Sequence, residues 1–231
     1  MTAPPRLSLR PILLMTAVFL VPMLLISVYA WSVLPVDAQI PTHWNARGEV
    51  DDYSSKSFGL FFLPLLLAAI VPGIALLVRI DPRRHHVEQS QKFLVAVSAS
   101  ILFVMAVIHT SAVLVSLGYP LPMDRIVATS VGLLFLLLGN FLGKVRSNFF
   151  MGVRTPWTLS SELSWNKTHR LAGKLFFAVG LLTILLALIA NGPLAIGAML
   201  VSLLAATLIT IVYSYVVWKS DPVRLETPNA Q

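Results

Sequence analysis

Six long apolar runs decide what this chain can fold into. They occupy 11–34, 58–78, 93–117, 126–143, 171–190 and 194–218 of a 231-residue sequence. A helix rises 1.5 Å per residue, so about 20 apolar residues cross the hydrocarbon core of a bilayer. Each run has about that length, and a soluble domain of this size has no interior able to hold six of them. Hydrophobic residues make up 57% of the chain and charged residues 12%, against roughly 45–50% and about 25% in globular proteins. The fold class is therefore all-α, a polytopic membrane protein with six transmembrane helices. Val28-Tyr29-Ala30 faintly resembles a small-residue cleavage site. The first run nevertheless exceeds the apolar core of about 7–15 residues found in signal peptides, and it reads as a span.

The polar remainder is unevenly placed. Arg6 and Arg10, then Arg79, Arg83, Arg84 and Lys92, then Lys144, Arg146, Arg154, Lys167 and Arg170, and finally Lys219 and Arg224 fall on one side of the implied threading, thirteen cations in all. The other side holds Arg47, Lys56 and Arg125, three cations. Cationic loops are retained in the cytoplasm, so both termini are expected there. The same bias accounts for the net charge of +7 without direct nucleic-acid binding. No cysteine is present, which excludes disulfides, thiolate zinc sites, iron–sulfur clusters and cysteine nucleophiles. The tails 1–10 and 219–231 are polar and expected to be loosely ordered.

The first connection leads out and the fourth leads in, each following the first span of a three-helix half, a layout compatible with an inverted 3 + 3 repeat. Pro22, Pro64 and Pro72 interrupt the first two spans. Each removes a backbone hydrogen bond, which membrane helices tolerate where a neighbour satisfies the freed carbonyl.

Few groups within the spans could carry chemistry: His109 in span three, Asn140 near the inner end of span four and Lys174 near the inner end of span five. No Asp or Glu lies inside a span, which argues against a proton-coupled transporter and an intramembrane protease. His109 reads as an interhelical contact before it reads as a proton site. Lys174 can snorkel to the interface. The net acidic outside loop 35–57 contains Pro41, His43, Trp44, Asn45, Arg47, Gly48, Glu49, Asp51, Asp52, Tyr53 and Lys56. Pro41, Asn45 and Gly48 suit a compact turn, with Gly48 taking a positive φ. Trp44 and Tyr53 are expected at headgroup level, and Asp51 or Asp52 is expected to pair with Arg47 or Lys56. His43, Asn45, Asp51 and Asp52 have metal-binding chemistry, yet their spacing matches no helical His pair and no calcium loop, so no metal and no cofactor are assigned.

The inside loop 144–170 is the densest stretch. Pro156 blocks an earlier helix, Thr158 or Ser160 can cap a new one, and Glu162 suits its first turn. One helix is expected from about 161 to 190, with Glu162, Trp165, Asn166, His169 and Gly173 on one face. Arg154, Trp157, Trp165 and His169 then read equally well as a cytoplasmic pocket or docking patch, or as an interfacial turn held by Arg–backbone bonds and tryptophans. Ser161, Glu162 and His169 are too close along one helix to form a catalytic triad.

The run Gly139-Asn140, Gly143-Lys144-Val145-Arg146-Ser147-Asn148-Phe149-Phe150-Met151-Gly152-Val153-Arg154-Thr155-Pro156-Trp157-Thr158-Leu159, followed by Trp165, Lys167-Thr168-His169-Arg170 and Gly173, resembles the hallmark of the SdpI family of bacterial membrane proteins. The stretch with Pro41, His43-Trp44-Asn45, Gly48, Asp51 and Lys56 resembles an uncharacterised membrane domain that often precedes it. The resemblance implies an N-terminal membrane domain over 1–92, with the third span 93–117 following, and an SdpI-like domain over 118–231. It also implies residence in the bacterial cytoplasmic (inner) membrane and a non-enzymatic role in immunity to a membrane-active peptide toxin. In some members a cytoplasmic repressor is sequestered at the membrane. The implied partners are the lipid bilayer, an extracytoplasmic peptide toxin and a cytoplasmic repressor. The implied functional residues of the inside loop are Asn140, Arg146, Asn148, Gly152, Arg154, Pro156, Trp157, Trp165, Thr168 and His169. Two other readings stand beside this one. The first is a small-molecule or peptide transporter or exporter, from the 3 + 3 layout and His109. The second is a surface enzyme using His169 and Glu162, with Arg154 binding an anion.

Overall fold

The computed structural model describes residues 9–45, 47–77 and 80–225. Six helices are long and apolar enough to cross a membrane: α1 (Arg10–Val33), α2 (Lys56–Leu77), α4 (Gln91–Ser116), α5 (Met123–Leu142), α7 (Glu162–Ile189) and α8 (Gly192–Lys219). They coincide with the six apolar runs. The fifth begins nine residues before its run (171 against 162), because its polar first turns continue the same helix. Short helices α3 (Arg84–Gln89) and α6 (Pro156–Ser160) lie between spans, and the only strands among the described residues form a hairpin, β1 (Gln39–Trp44) and β2 (Val50–Ser55). Large apolar side chains such as Leu14, Val18, Leu25, Leu188, Val201 and Leu204 are exposed along the helices. A surface of that kind belongs against lipid tails. The expected loose order of the tails falls mostly on residues outside those described.

The helices form two groups of three. Helices α1, α2 and α4 pack together, α5, α7 and α8 pack together, and α4 against α5 joins the groups. In the second group glycine sets the spacing. Gly132 and Gly139 on α5 are seven residues apart, two helical turns, and so are Gly173 and Gly180 on α7. A Cβ on Gly139 would come within 2.6 Å of the Gly173 carbonyl oxygen, and one on Gly180 within 2.4 Å of the Gly132 carbonyl oxygen. Antiparallel backbones can meet this closely only where side chains are absent.

In the first group the contacts are polar. Pro64 has no N–H to give the Leu60 carbonyl, its partner one turn back. The Ser27 hydroxyl donates to that carbonyl at 2.7 Å and also lies 2.8 Å from His109 Nε2. Ser27 and His109 are both buried. His109 is thus an interhelical contact tying α4 to α1 and, through Ser27, to the proline break in α2.

Helix starts are set locally. Thr155 caps α6 in a capping box with Thr158, and Ser161 caps α7 by accepting from the Ser164 N–H. The caps expected at Thr158 and Ser160 fall elsewhere: Thr158 is the inner partner of the box, and Ser160 donates to the Pro156 carbonyl at 2.8 Å. Asn191 caps α8 through the Leu194 N–H at 2.9 Å.

Candidate functional site

Polar structure gathers at the two opposite ends of the bundle. One end carries the hairpin. Ile40 is buried against Ala30, Leu60 and Val113, with Gly59 leaving room for it. The Lys56 ammonium donates to the Leu34 carbonyl at 2.7 Å and lies 4.7 Å from the Trp31 ring centroid. These contacts fix the base of the hairpin on the first helix group. Its tip reaches the second group, where Gly48 sits beside Asp124. The Asp124 carboxylate accepts from the Gly192 N–H at 3.1 Å, placing an anion at the starts of both α5 and α8.

Gly48 has φ +77, as its turn required. The ion pairs differ from those expected. Asp51 lies 2.5 Å from His43 Nδ1, at the register irregularity where His43 faces Asp52 and Trp44 faces Val50, and Arg47 pairs with Glu49 at 3.0 Å. Lys56 is occupied at the base. Hydrogen bonds from Asn45 and then Arg47, with the Arg47 charge, hold the Glu49 carboxyl below its ordinary pKa. His43 and Asp51 are exposed, Trp44 and Asn45 are half-buried, and Pro41 and Lys56 are buried. No group of three or more His, Cys, Asp or Glu residues poised to hold a metal occurs among the described residues.

The other end carries a folded platform built from 144–161 on a cradle from the second connection. The Asp81 carboxylate accepts from the Phe149 N–H at 2.8 Å and from the Arg83 N–H at 2.6 Å. The Arg83 guanidinium donates to the Ser147 hydroxyl and, at 3.0 Å, to the Leu159 carbonyl. It also lies 4.8 Å from the Phe149 ring centroid. His86 Nδ1 lies 2.7 Å from the Ser147 carbonyl oxygen, and Ser90 accepts from the Arg146 N–H at 2.9 Å. Inside the platform Asn148 is fully buried. Its amide donates to the Arg146 carbonyl at 2.7 Å, while its side-chain oxygen accepts from the Phe150 and Met151 N–H groups at 2.9 and 2.6 Å.

Trp165 and His169 lock this loop to α7. The Trp165 indole N–H donates to the Val145 carbonyl at 2.8 Å. His169 stacks on Trp165 with ring centroids 4.1 Å apart. A carbonyl can only accept, so His169 Nδ1–H donates to the Trp165 carbonyl at 2.8 Å, leaving Nε2 to accept from the Val153 N–H at 2.9 Å. Both ring nitrogens are occupied by backbone. Gly152 has φ +101, and a Cβ there would lie 2.2 Å from His169 Nε2. Val145, Met151 and Trp165 join the core formed by Ile12, Met23, Leu102 and Ala172, so platform and bundle share one interior.

Among the residues the sequence singled out, Asn148, Trp165, Thr168 and His169 are buried and cannot form a contact patch; they hold the loop's shape. Among the described residues the Thr168 hydroxyl has no hydrogen-bond partner. Asn140, Arg146, Arg154 and Pro156 are exposed, and Gly152 and Trp157 are partly so. Arg154 donates to the Phe149 carbonyl at 2.8 Å, and Trp157 packs edge-on against Tyr215 at 5.2 Å. Glu162 and Asn166 lie on the exposed side of α7, away from Trp165 and His169, so the expected shared face divides. Of the residues named for a surface enzyme, His169 has both ring nitrogens held by backbone, Glu162 lies on the exposed side of α7, and Arg154 donates to the Phe149 carbonyl; Ser161 donates to Asp221. Sequence reasoning missed Asp81, His86 and Ser90 and treated Arg83 only as a charge. The signal available was that both basic connections fall on the same side of the threading.

Comparison with known proteins places these features. Residues 144–214, which cover the platform, α7 and most of α8, match the SdpI/YfhL protein family. Residues 18–68, covering most of α1, the hairpin and half of α2, match a domain of unknown function, DUF1648. The chain is 27% identical over 195 residues to the immunity protein SdpI of Bacillus subtilis (strain 168), spanning 84% of this chain and 90% of that protein. No solved structure matches it. The platform and the helices that follow it are thus similar to the SdpI/YfhL family, within a multi-pass bacterial membrane protein.

Proposed function

We propose that this chain is a non-enzymatic immunity protein that protects its own cell from a membrane-active peptide. The observation that carries the reading is the similarity to an immunity protein along most of both chains. In this reading both termini and the platform face the cytoplasm, where the excess of Lys and Arg belongs, and the hairpin faces outward toward the peptide. The exposed His43 and Asp51, with the half-buried Trp44, Asn45 and Gly48, are the peptide-facing surface, mounted on Pro41 and Lys56. Arg146, Arg154, Pro156 and Trp157 form the cytoplasmic docking surface for a repressor, shaped from beneath by Asn148, Gly152, Trp165, Thr168 and His169. The N-terminal unit, 1–92 with the span 93–117, supplies the sensor, and 118–231 supplies the platform.

The test is survival. Deleting the gene is expected to sensitise cells to at least one peptide in a panel of membrane-active toxins, with resistance restored by the intact gene. A form carrying Asp51→Ala and His43→Ala should reach the membrane at normal levels yet fail to restore resistance. Identical killing curves for the deletion and parent strains across the panel would refute the immunity reading.

A transporter remains a second reading because one observation favours it: His109, Ser27 and the Leu60 carbonyl form a buried polar cluster where Pro64 interrupts α2. It predicts substrate-dependent flux in proteoliposomes, abolished by His109→Leu. Absence of flux for the peptide that kills the deletion strain would remove it.

A further inference from the structure

The close glycine crossing of α5 and α7 opens a cleft of about 430 Å³ at the platform end of the bundle. Asn140 and Lys144 line it from the end of α5, and Arg170 and Lys174 line it from α7, around Gly139 and Gly173. Asn140, Lys144, Arg170 and Lys174 are all exposed. Among the described residues no acidic side chain lines the cleft, and none of its three cations forms an ion pair. Arg170 and Lys174 are one turn apart on α7, an arrangement in which like charges disfavour the helix, and Lys144 adds a third charge across the cleft. At the end of α5 the Phe141 and Leu142 carbonyls accept from the Lys144 and Val145 N–H groups, and the Lys144 ammonium lies 4.9 Å from the Phe141 ring centroid.

Depth adds a second constraint. Helix α7 has 28 residues, whereas about 20 cross the hydrocarbon core. Counting back from Ile189 puts the membrane boundary near Arg170, with the Lys174 stem able to carry its ammonium up to the same level. Lipid phosphates lie at that level, and a guanidinium matches a phosphate through paired N–H donors.

We propose that this cleft binds one phosphate group, held by Lys144, Arg170 and Lys174 with the Asn140 amide as a further donor. A lipid headgroup phosphate and a free phosphate share that chemistry. The site stands independently of immunity, and its test reads binding alone.

The full-length protein is placed in phosphatidylcholine nanodiscs for two arms. In one, fluorescent phosphatidylglycerol is added at trace level and its enrichment beside the protein is measured. In the other, inorganic phosphate is titrated by calorimetry without anionic lipid. Each arm compares the parent with K144Q/R170Q/K174Q and with K92Q/K167Q/K219Q, which removes three exposed cations elsewhere. The cleft variant is expected to lose on the order of a hundredfold in affinity and the distal variant far less. Selective loss in the lipid arm assigns a headgroup; selective loss in the phosphate arm assigns a soluble phosphate. Equal losses in the two triple variants, or no saturable binding by the parent in either arm, would overturn the proposal. If the cleft triple does not purify as a single species, Lys174→Gln replaces it, with a loss on the order of fivefold expected and none for Lys167→Gln.

Discussion

Replacing Gly152 by alanine tests the platform at its tightest point. Two costs arise from one methyl group. At φ +101 an L-residue is strained by roughly 1–3 kcal/mol. The new Cβ would also stand 2.2 Å from His169 Nε2, so the ring or the loop must move. The ring is poorly able to yield, because Nδ1 is bonded to the Trp165 carbonyl and the imidazole is stacked on the Trp165 indole. Movement therefore breaks the Val153 N–H to Nε2 bond, leaving a partly buried donor and a buried acceptor unmatched at a cost of about 1–3 kcal/mol. The sum is roughly 2–6 kcal/mol, which in a chain of this size lowers the melting temperature by about 5–20 °C. The assay is thermal unfolding in detergent, run as a double-mutant cycle with His169→Ala. The clash disappears in the His169→Ala background, so Gly152→Ala should cost less there by at least about 1 kcal/mol. An equal cost in both backgrounds would refute the steric account and leave only backbone strain. No change in melting temperature for Gly152→Ala alone would refute both.

Three further outcomes follow from the same geometry. Ser27→Ala strands the Leu60 carbonyl and removes a His109 contact, so it should destabilise by about 1–3 kcal/mol in thermal unfolding; adding Pro64→Ala returns an N–H to that carbonyl and should recover part of the loss. Thr168→Val replaces a buried hydroxyl that has no partner, so it should leave stability unchanged or raise it by about 1 kcal/mol, and a large destabilisation would show that the hydroxyl is satisfied. The Glu49 carboxyl has a lowered pKa in the folded hairpin, so its contribution is fully present above the ordinary glutamate range and is lost as pH falls through the lowered value; amide protection factors at Asn45 and Gly48 should decline with it, and Glu49→Gln should abolish that dependence.

What the sequence made legible depended on the range of the interaction. The six spans could be read directly because crossing a bilayer requires only length and apolarity. The helix from Glu162 to Ile189 was legible because Pro156 and the break at Gly192-Pro193 bound it. The positive φ of Gly48 and the need for a partner at the Pro64 break are equally local. The hairpin was read only as a turn, since Pro41, Asp51 and Asp52 interrupt strand-like alternation and most of its residues face away from the core. The Asp81–Arg83–His86–Ser90 cradle joins residues 56 to 76 positions apart, and no local pattern announces it. The aromatic and basic composition of the 144–170 loop marks a special place without saying which residues face inward. Burial of Trp165, His169 and Asn148 depends on tertiary contacts with Val145, Val153 and the loop backbone. The glycine spacing in α5 and α7 was visible, but its meaning required knowing that these two helices are antiparallel neighbours.

The account depends most on which end of the bundle faces out. The chain contains no cysteine, so a single engineered one reports without background. Asp52→Cys in the hairpin and Ser160→Cys in the platform both replace exposed residues. A membrane-impermeant thiol reagent applied to intact cells is expected to label position 52, and to label position 160 only after the membrane is opened. Labelling of 160 but not 52 in intact cells would invert the protein and contradict the assignment of peptide-facing and repressor-facing surfaces.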